Sequence, residues 1–237
     1  MQRIGSADGQ LANVEFSPEL YEWPLAARSK DQVWLRCNMV MTQDGAAVGS
    51  DGRSATIATP IDKTVFGALR RDSDVILVGA GTARAEGYRP ASVPIALVSR
   101  TLALSHELAL FAQQGSGSPT TILLTTSKAI AGAPQWMHSS AELVSCGEEE
   151  VDLAVALEAL HTRGLTRVHC EGGPLLLTSL IQAQLLDELL VTITPIIQGA
   201  TKSLIGHLDA PVQGSFSQVL VEDGTVLLRF LPDYSKD

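Results

Sequence analysis

The sequence contains no run of basic residues longer than Arg70-Arg71, and acidic side chains outnumber basic ones by 26 to 17, giving a net charge of −9. A phosphate backbone is held by clustered Lys and Arg, so this balance argues against nucleic-acid binding. Long apolar runs are missing too. Stretches such as Leu175 to Ile181 fall far short of the ~18 residues that a membrane-spanning helix needs. The N-terminus shows no basic segment followed by an apolar one, so no signal peptide is expected and the chain is placed in the cytoplasm. Three cysteines, Cys37, Cys146 and Cys170, are widely separated with no C-x-x-C pair, and read as buried thiols in a reducing compartment. The five histidines, at 106, 138, 161, 169 and 207, never pair at metal-ligand spacing, so no metal site is expected. There is no G-x-S-x-G elbow, no Walker A motif and no Cys or Ser beside a recognisable base. What is left is chemistry carried by a bound cofactor, with the protein supplying orientation.

The chain has 237 residues, 45% of them hydrophobic, enough for one sizeable core. Residues 1 to about 30 lack sustained periodicity and read as a loose arm with one short helix; residues 31–237 read as a single domain. Val33 to Met41 predicts a buried strand. Thr59-Pro60 with Asp62 marks a helix start with the acid of a capping box, and Ile61, Val65, Ala68 and Leu69 fall on one face. Asp74 to Gly79 is short and continuously apolar, as in strands buried on both faces of a parallel sheet. Strands follow at 95–99, 120–126, 143–145 and 167–170, and helices at 151–163 and 175–184. Three last strands are expected at 187–194, 218–222 and 225–230, the final pair joined by the hairpin signal Asp223-Gly224. Gly115 to Ser118 reads as a flexible surface connection. The alternation implies an α/β fold: a mostly parallel sheet flanked by helices, ending in antiparallel strands.

Two glycine-bearing turns each follow a buried strand. Gly79-Ala80-Gly81-Thr82 lets backbone approach a phosphate, but Arg84 stands where a dinucleotide fingerprint has its third glycine, and a purely structural turn fits as well. Glu171-Gly172-Gly173-Pro174 again joins strand to helix, at a strand end where open α/β sheets bind ligands. The strand after the first turn ends in Val98-Ser99-Arg100 rather than an acid, which suits a ribose 2′-phosphate; a surface arginine is the alternative.

Together these landmarks resemble the reductase domain of bacterial riboflavin biosynthesis, the dihydrofolate-reductase-like pyrimidine reductases. The matching residues are Asn38 through Asp44-Gly45, Gly52-Arg53-Ser54, Leu69-Arg70, Val78 through Thr82, Ala85 through Pro90, Glu171 through Pro174, and Leu186 through Gly199. The resemblance implies a dihydrofolate-reductase-like central sheet, NADPH as reductant and a homodimer. It further implies hydride transfer to a ribosylamino-pyrimidine of the 5-amino-6-ribosylamino-uracil type. A dihydropteridine reductase on the same scaffold and a non-catalytic NADPH-binding protein are the alternatives. Val40, Thr56, Gly79, Gly81, Thr82 and Glu86 would meet the cofactor, with Ser99 or Arg100 at its 2′-phosphate. Gly172, Gly173, Pro174, Leu175, Leu176 and Leu177 would form its pyrophosphate turn. Asn38, Ser54, Arg70 and Arg89 would face the substrate, and Glu171 and Asp44 would be the catalytic pair. The sequence departs from the family by carrying Asn38 in place of a lysine and Thr56 in place of a tryptophan, and by lacking the zinc-binding deaminase domain.

Overall fold

The computed structural model describes residues 2–4, 11–24, 32–112, 117–199 and 202–235. Its strands are β1 (Gln2–Ile4), β2 (Leu11–Asn13), β3 (Trp34–Thr42), β4 (Val75–Gly79), β5 (Ile95–Val98), β6 (Thr121–Thr125) and β7 (Ala141–Ser145). The set is completed by β8 (Arg167–Cys170), β9 (Glu188–Thr194), β10 (Gln213–Glu222) and β11 (Thr225–Asp233). They form one sheet in the order β2-β1-β10-β11-β9-β3-β8-β4-β5-β6-β7. From β9 to β7 every neighbouring pair is parallel, and β1, β2, β10 and β11 are added antiparallel. The helices are α1 (Pro60–Arg71), α2 (Ala80–Glu86), α3 (Ala109–Ala112), α4 (Ser127–Ala131), α5 (Gln135–Ser140), α6 (Leu153–His161) and α7 (Pro174–Gln182). Among the described residues no helix is long and apolar enough to cross a membrane.

The parallel part shows why its strands read as they do. On β4, Val75 and Leu77 enter one core while Ile76 and Val78 enter the other, so a run without alternation is buried on both faces. On β3, alternation sends Leu35, Cys37 and Met39 into the first core and turns Arg36, Asn38 and Val40 to the face under α1. On β8, Val168 and Cys170 join that same core, so His169 and the following Glu171 face α1. The two thiols Cys37 and Cys170 are register partners. Cys146 also lies inside, so all three cysteines are buried and free.

The helix start at Thr59 forms with half of its capping box. The Thr59 hydroxyl accepts from the Asp62 N–H at 3.5 Å, while the Asp62 carboxylate turns inward to the Thr192 hydroxyl. The hairpin at Asp223-Gly224 has φ of 47° and 77°, both left-handed, as a two-residue turn of this hand requires.

The N-terminal arm differs from expectation. Gln2–Ile4 and Leu11–Asn13 are short strands at the sheet edge, β1 pairing with β10. The expected short helix is a 3₁₀ turn, Pro18–Tyr21, capped by Ser17. Behind it Arg36, fully buried on β3, donates to the carbonyls of Tyr21 at 2.7 Å and Glu22 at 3.2 Å. Its guanidinium lies 4.2 Å from the Trp23 ring centre. Of the loop expected at Gly115 to Ser118, residues 115 and 116 lie outside the described residues.

Candidate active site

Strand order reverses around β3, β8 and β4, because the chain runs outward from β4 to β7 and returns to lay β8 between β3 and β4. Such a reversal leaves a crevice at the carboxyl ends of the strands. A cavity of about 430 Å³ lies there, within the usual size range of small-molecule sites. Its walls are α1, the ends of β3 and β8, the turn into α7, and the loop after α2. One stripe of α1 supplies Asp62, Phe66 and Arg70, spaced four residues apart on one helical face.

Glu171 is the hub of the cavity. Its side chain is 2% exposed, and the carboxylate accepts from Arg70 Nε at 2.6 Å and Nη2 at 2.7 Å, a two-pronged ion pair. The Tyr88 hydroxyl donates to the same carboxylate. Burial alone would pull the Arg70 guanidinium down, but the bonds and charge of Glu171 outweigh it and hold the arginine above its ordinary range. Burial, reinforced by the Glu171 charge, keeps the Tyr88 phenol well above its usual value, so it acts as a hydrogen-bond donor. Beneath them His169 is fully buried, with Nε2 3.5 Å from Glu171 and its ring edge-on to Phe66. Desolvation lowers its pKa to about 4, so the imidazole is neutral at neutral pH.

Several of the expected site residues meet in this cavity: Asn38, Val40, Ser54, Arg70, Gly81, Thr82, Glu86, Arg89, Glu171, Gly173 and Pro174 all line it. The Ser54 N–H donates to Glu86 at 2.8 Å, so Glu86 also ties the loop from 49 to 56 over the opening.

Others lie elsewhere. Asp44, expected beside Glu171, accepts from Thr42 at 2.5 Å and from the N–H groups of Gln198 at 3.3 Å and Gly199 at 2.6 Å. It lines a separate cavity walled by Met41, Leu189, Leu204, Phe216 and Phe230, so it fastens two loops rather than facing Glu171. The Thr42 hydroxyl, then the Gly199 N–H, hold its carboxyl below the usual range. Thr56 bonds Asp51 at 2.8 Å within its own loop and is not a cavity residue. Arg100 is paired at 2.8 Å with Glu150 on the surface, and the buried Ser99 hydroxyl accepts from Leu102 N–H at 3.1 Å. Neither lies on the cavity wall. Gly79, Gly172, Leu175, Leu176 and Leu177 are outside the wall as well, Leu177 wholly buried and Leu175 exposed.

The glycine turns suit a dinucleotide. Gly79 and Gly173 are the N-caps of α2 and α7, and neither helix start carries a side-chain cap, which leaves backbone N–H groups free for phosphate. The Gly79 N–H donates to the Gly172 carbonyl at 2.7 Å, locking the two turns together. A Cβ on Gly173 would lie 2.5 Å from the Thr82 hydroxyl, so the cradle is open there only because glycine occupies it. Residues of this kind fit a nicotinamide dinucleotide.

Sequence reading missed Asp62, Lys63, Phe66, Tyr88 and Lys202 as cavity residues. For two of them a signal existed. Asp62, Phe66 and Arg70 recur at i, i+4 and i+8, beside the apolar face of the helix.

A profile of the family described as "RibD C-terminal domain" matches residues 33–225. The 2,5-diamino-6-ribosylamino-4(3H)-pyrimidinone 5′-phosphate reductase of Methanothermobacter thermautotrophicus is 32% identical over 171 residues, covering 68% of this chain and 77% of that protein. The enzyme of the same name from Archaeoglobus fulgidus is 27% identical over 184 residues, covering 70% and 82%. Among solved structures, a pyrimidine reductase-like protein from Corynebacterium diphtheriae superposes with a TM-score of 0.75 at 22% identity, covering 90% of this chain and 96% of that one. By the extent of the profile match and the identity to the first of these enzymes, the chain belongs to the RibD C-terminal domain family.

Proposed function

We propose that the protein is an NADPH-dependent reductase of a phosphorylated ribosylamino-pyrimidine. The observation that carries this reading is the Arg70–Glu171–Tyr88 clamp, set in the same cavity as the uncapped α7 turn. When bound, reduced nicotinamide would supply a hydride to C1′ of the ring-opened imine, the C=N electron pair moving to nitrogen and a proton from water completing the amine.

The chain's own residues bind and orient. The turn at Gly173 and the uncapped start of α7 would hold the pyrophosphate, with Thr82 and Val40 beside the cofactor. Asn38, 7% exposed on β3, would hydrogen-bond the heterocycle. Arg70 already spends two donors on Glu171, and Tyr88 spends its only proton there. Glu171 is therefore a positioning residue that fixes Arg70 and Tyr88 at the wall. Lys63, Lys202 and Arg89 place three exposed cations on the cavity lining for an anionic substrate. We also take residues 31–237 as one reductase domain with residues 1–30 as its arm, working as a cytoplasmic homodimer. The exposed Phe216, edge-on to Phe230 at 5.5 Å, supports a covered apolar face.

The cofactor assignment is tested by titrating NADPH and NADH in parallel. The Arg100–Glu150 pair is exposed on both sides and costs little to open, so Arg100 is available to a 2′-phosphate beside Ser99. NADPH should bind at least tenfold more tightly than NADH, with most of the difference lost in Arg100→Ala. Binding of neither nucleotide would make both glycine turns purely structural. Equal binding would remove the 2′-phosphate role.

A further inference from the structure

The cavity contains a second buried carboxylate that nothing above employs. Asp62 is 6% exposed, stands one turn into α1 and lines the cavity four residues before Phe66. An acid at this helix position is favoured by the helix dipole without being buried, so its burial calls for a different reason. Its carboxylate neighbours the Thr192 hydroxyl on β9, which stands in register with Val40 of the cavity wall. A hydroxyl brings one proton, whereas an ionised carboxylate has about four acceptor positions. Glu171 is different, since an arginine fork and a phenol fill most of its capacity. Asp62 thus presents unfilled acceptors to an enclosed space, and Lys63, the cation beside it, is exposed. Desolvation raises its pKa, the direction for a carboxylate awaiting donors.

We infer that Asp62 is the specificity-determining residue for the pyrimidine ring, accepting two parallel hydrogen bonds from a 2-amino-4-oxopyrimidine edge. This inference rests on the reductase reading above. In such a ring the N3–H and the 2-amino group are adjacent donors, matched to the two oxygens of one carboxylate as a guanidinium is. In the corresponding uracil the same edge offers N3–H beside a C2 carbonyl, and that carbonyl would face a carboxylate oxygen with no proton between them. Eight residues at 1.5 Å rise set Asp62 about 12 Å along the helix from Arg70, leaving room for the ring at one end and the ribosyl chain toward the clamp.

The test compares kcat/KM for the 2,5-diamino-6-ribosylamino-pyrimidinone 5′-phosphate and for its 2-oxo counterpart, 5-amino-6-ribosylamino-uracil 5′-phosphate. A site built to accept from a donor rejects the analogue lacking it, so the wild-type protein should favour the 2-amino substrate by about 100-fold or more. Asp62→Asn offers one acceptor and one donor, the complement of the uracil edge. It should lower kcat/KM for the 2-amino substrate at least tenfold, raise the ratio toward the 2-oxo one, and leave NADPH affinity within about twofold. A wild-type protein that favours the 2-oxo substrate, or reduces both equally, overturns the inference while leaving the reductase reading intact. An unchanged ratio in a folded, NADPH-binding Asp62→Asn does the same. Should that variant fail to fold, the wild-type ratio decides by itself. Reduction of neither substrate defeats the reductase reading, and this inference with it.

Discussion

Glu171→Gln is expected to reduce kcat/KM by about 100-fold or more, with kcat falling further than KM rises. The substitution keeps the volume and removes the charge. One amide arm would then present donors to Arg70 and Tyr88, which are donors themselves, so the two-pronged pair cannot survive and the phenol loses its acceptor. Arg70 would be left half-buried without a counter-ion. Breaking a fully buried pair costs about 3–5 kcal/mol. Because the Arg70 side chain is 31% exposed, water can take over part of its solvation, and a loss of about 2–3 kcal/mol is expected. Steady-state kinetics and a thermal melt of the same preparation separate the two effects. A merely structural Glu171 would lower the melting temperature but leave kcat per folded molecule unchanged. If Glu171→Asp restores the melting temperature but not kcat, the reach of the clamp matters as well as its charge.

The second large effect lies at the other end of the strands. Glu188→Ala should destabilise the fold by about 3–5 kcal/mol. Glu188 is fully buried at the start of β9, 3.0 Å from Arg36 Nε, and Arg229 Nε approaches its other oxygen at 2.5 Å. Trp34 Nε1 donates to it at 3.2 Å. Truncation strands two arginines, one of them Arg36 with a side chain 1% exposed. Burial already pulls the Arg36 guanidinium below its ordinary value, and Glu188 is the main influence opposing this. A domain of this length loses about 2–4 °C of melting temperature per kcal/mol, so a drop of roughly 10 °C is expected. The site is built at the carboxyl ends of β3 and β8, whereas Arg36 and Glu188 pair near the amino ends of their strands. Turnover per folded molecule well below the new midpoint should therefore be unchanged. A melting temperature within 2 °C of wild type would mean that the Leu20, Tyr21 and Glu22 carbonyls are enough to hold Arg36 and Arg229.

What could be read from the sequence follows physical range. Signals acting within a few residues were legible. Thr59 and Pro60 start α1, Asp223-Gly224 forces the last hairpin, and the apolar run after Asp74 is a strand buried on both faces. The two glycine turns were also visible, since only glycine supplies φ of +72° at 172 without strain. Associations across long sequence separations were not. Gln2 pairs with Val221, and a three-residue strand has no periodicity to announce a partner so distant. Arg70 and Glu171 were both singled out, but both were aimed at a substrate. Their 101-residue separation hid that they bind each other. Asp44 shows the converse error. A turn-forming acid beside a strand end looked like a site residue, and the three donors that occupy it come from Thr42, Gln198 and Gly199. Asp62 was read as a capping acid because the local motif explained it completely. Its burial against Thr192 comes from the packing of α1 on β9, which local spacing does not encode.

Hydride transfer to the sugar carbon of a ribosylamino-pyrimidine is tested with NADPH deuterated at C4 of the nicotinamide, incubated with the protein and the 2-amino substrate. The expected result is stoichiometric NADPH oxidation with one deuterium at C1′ of a ribitylamino product. Deuterium in the heterocycle, or no oxidation by either pyrimidine while NADPH binds tightly, would contradict it.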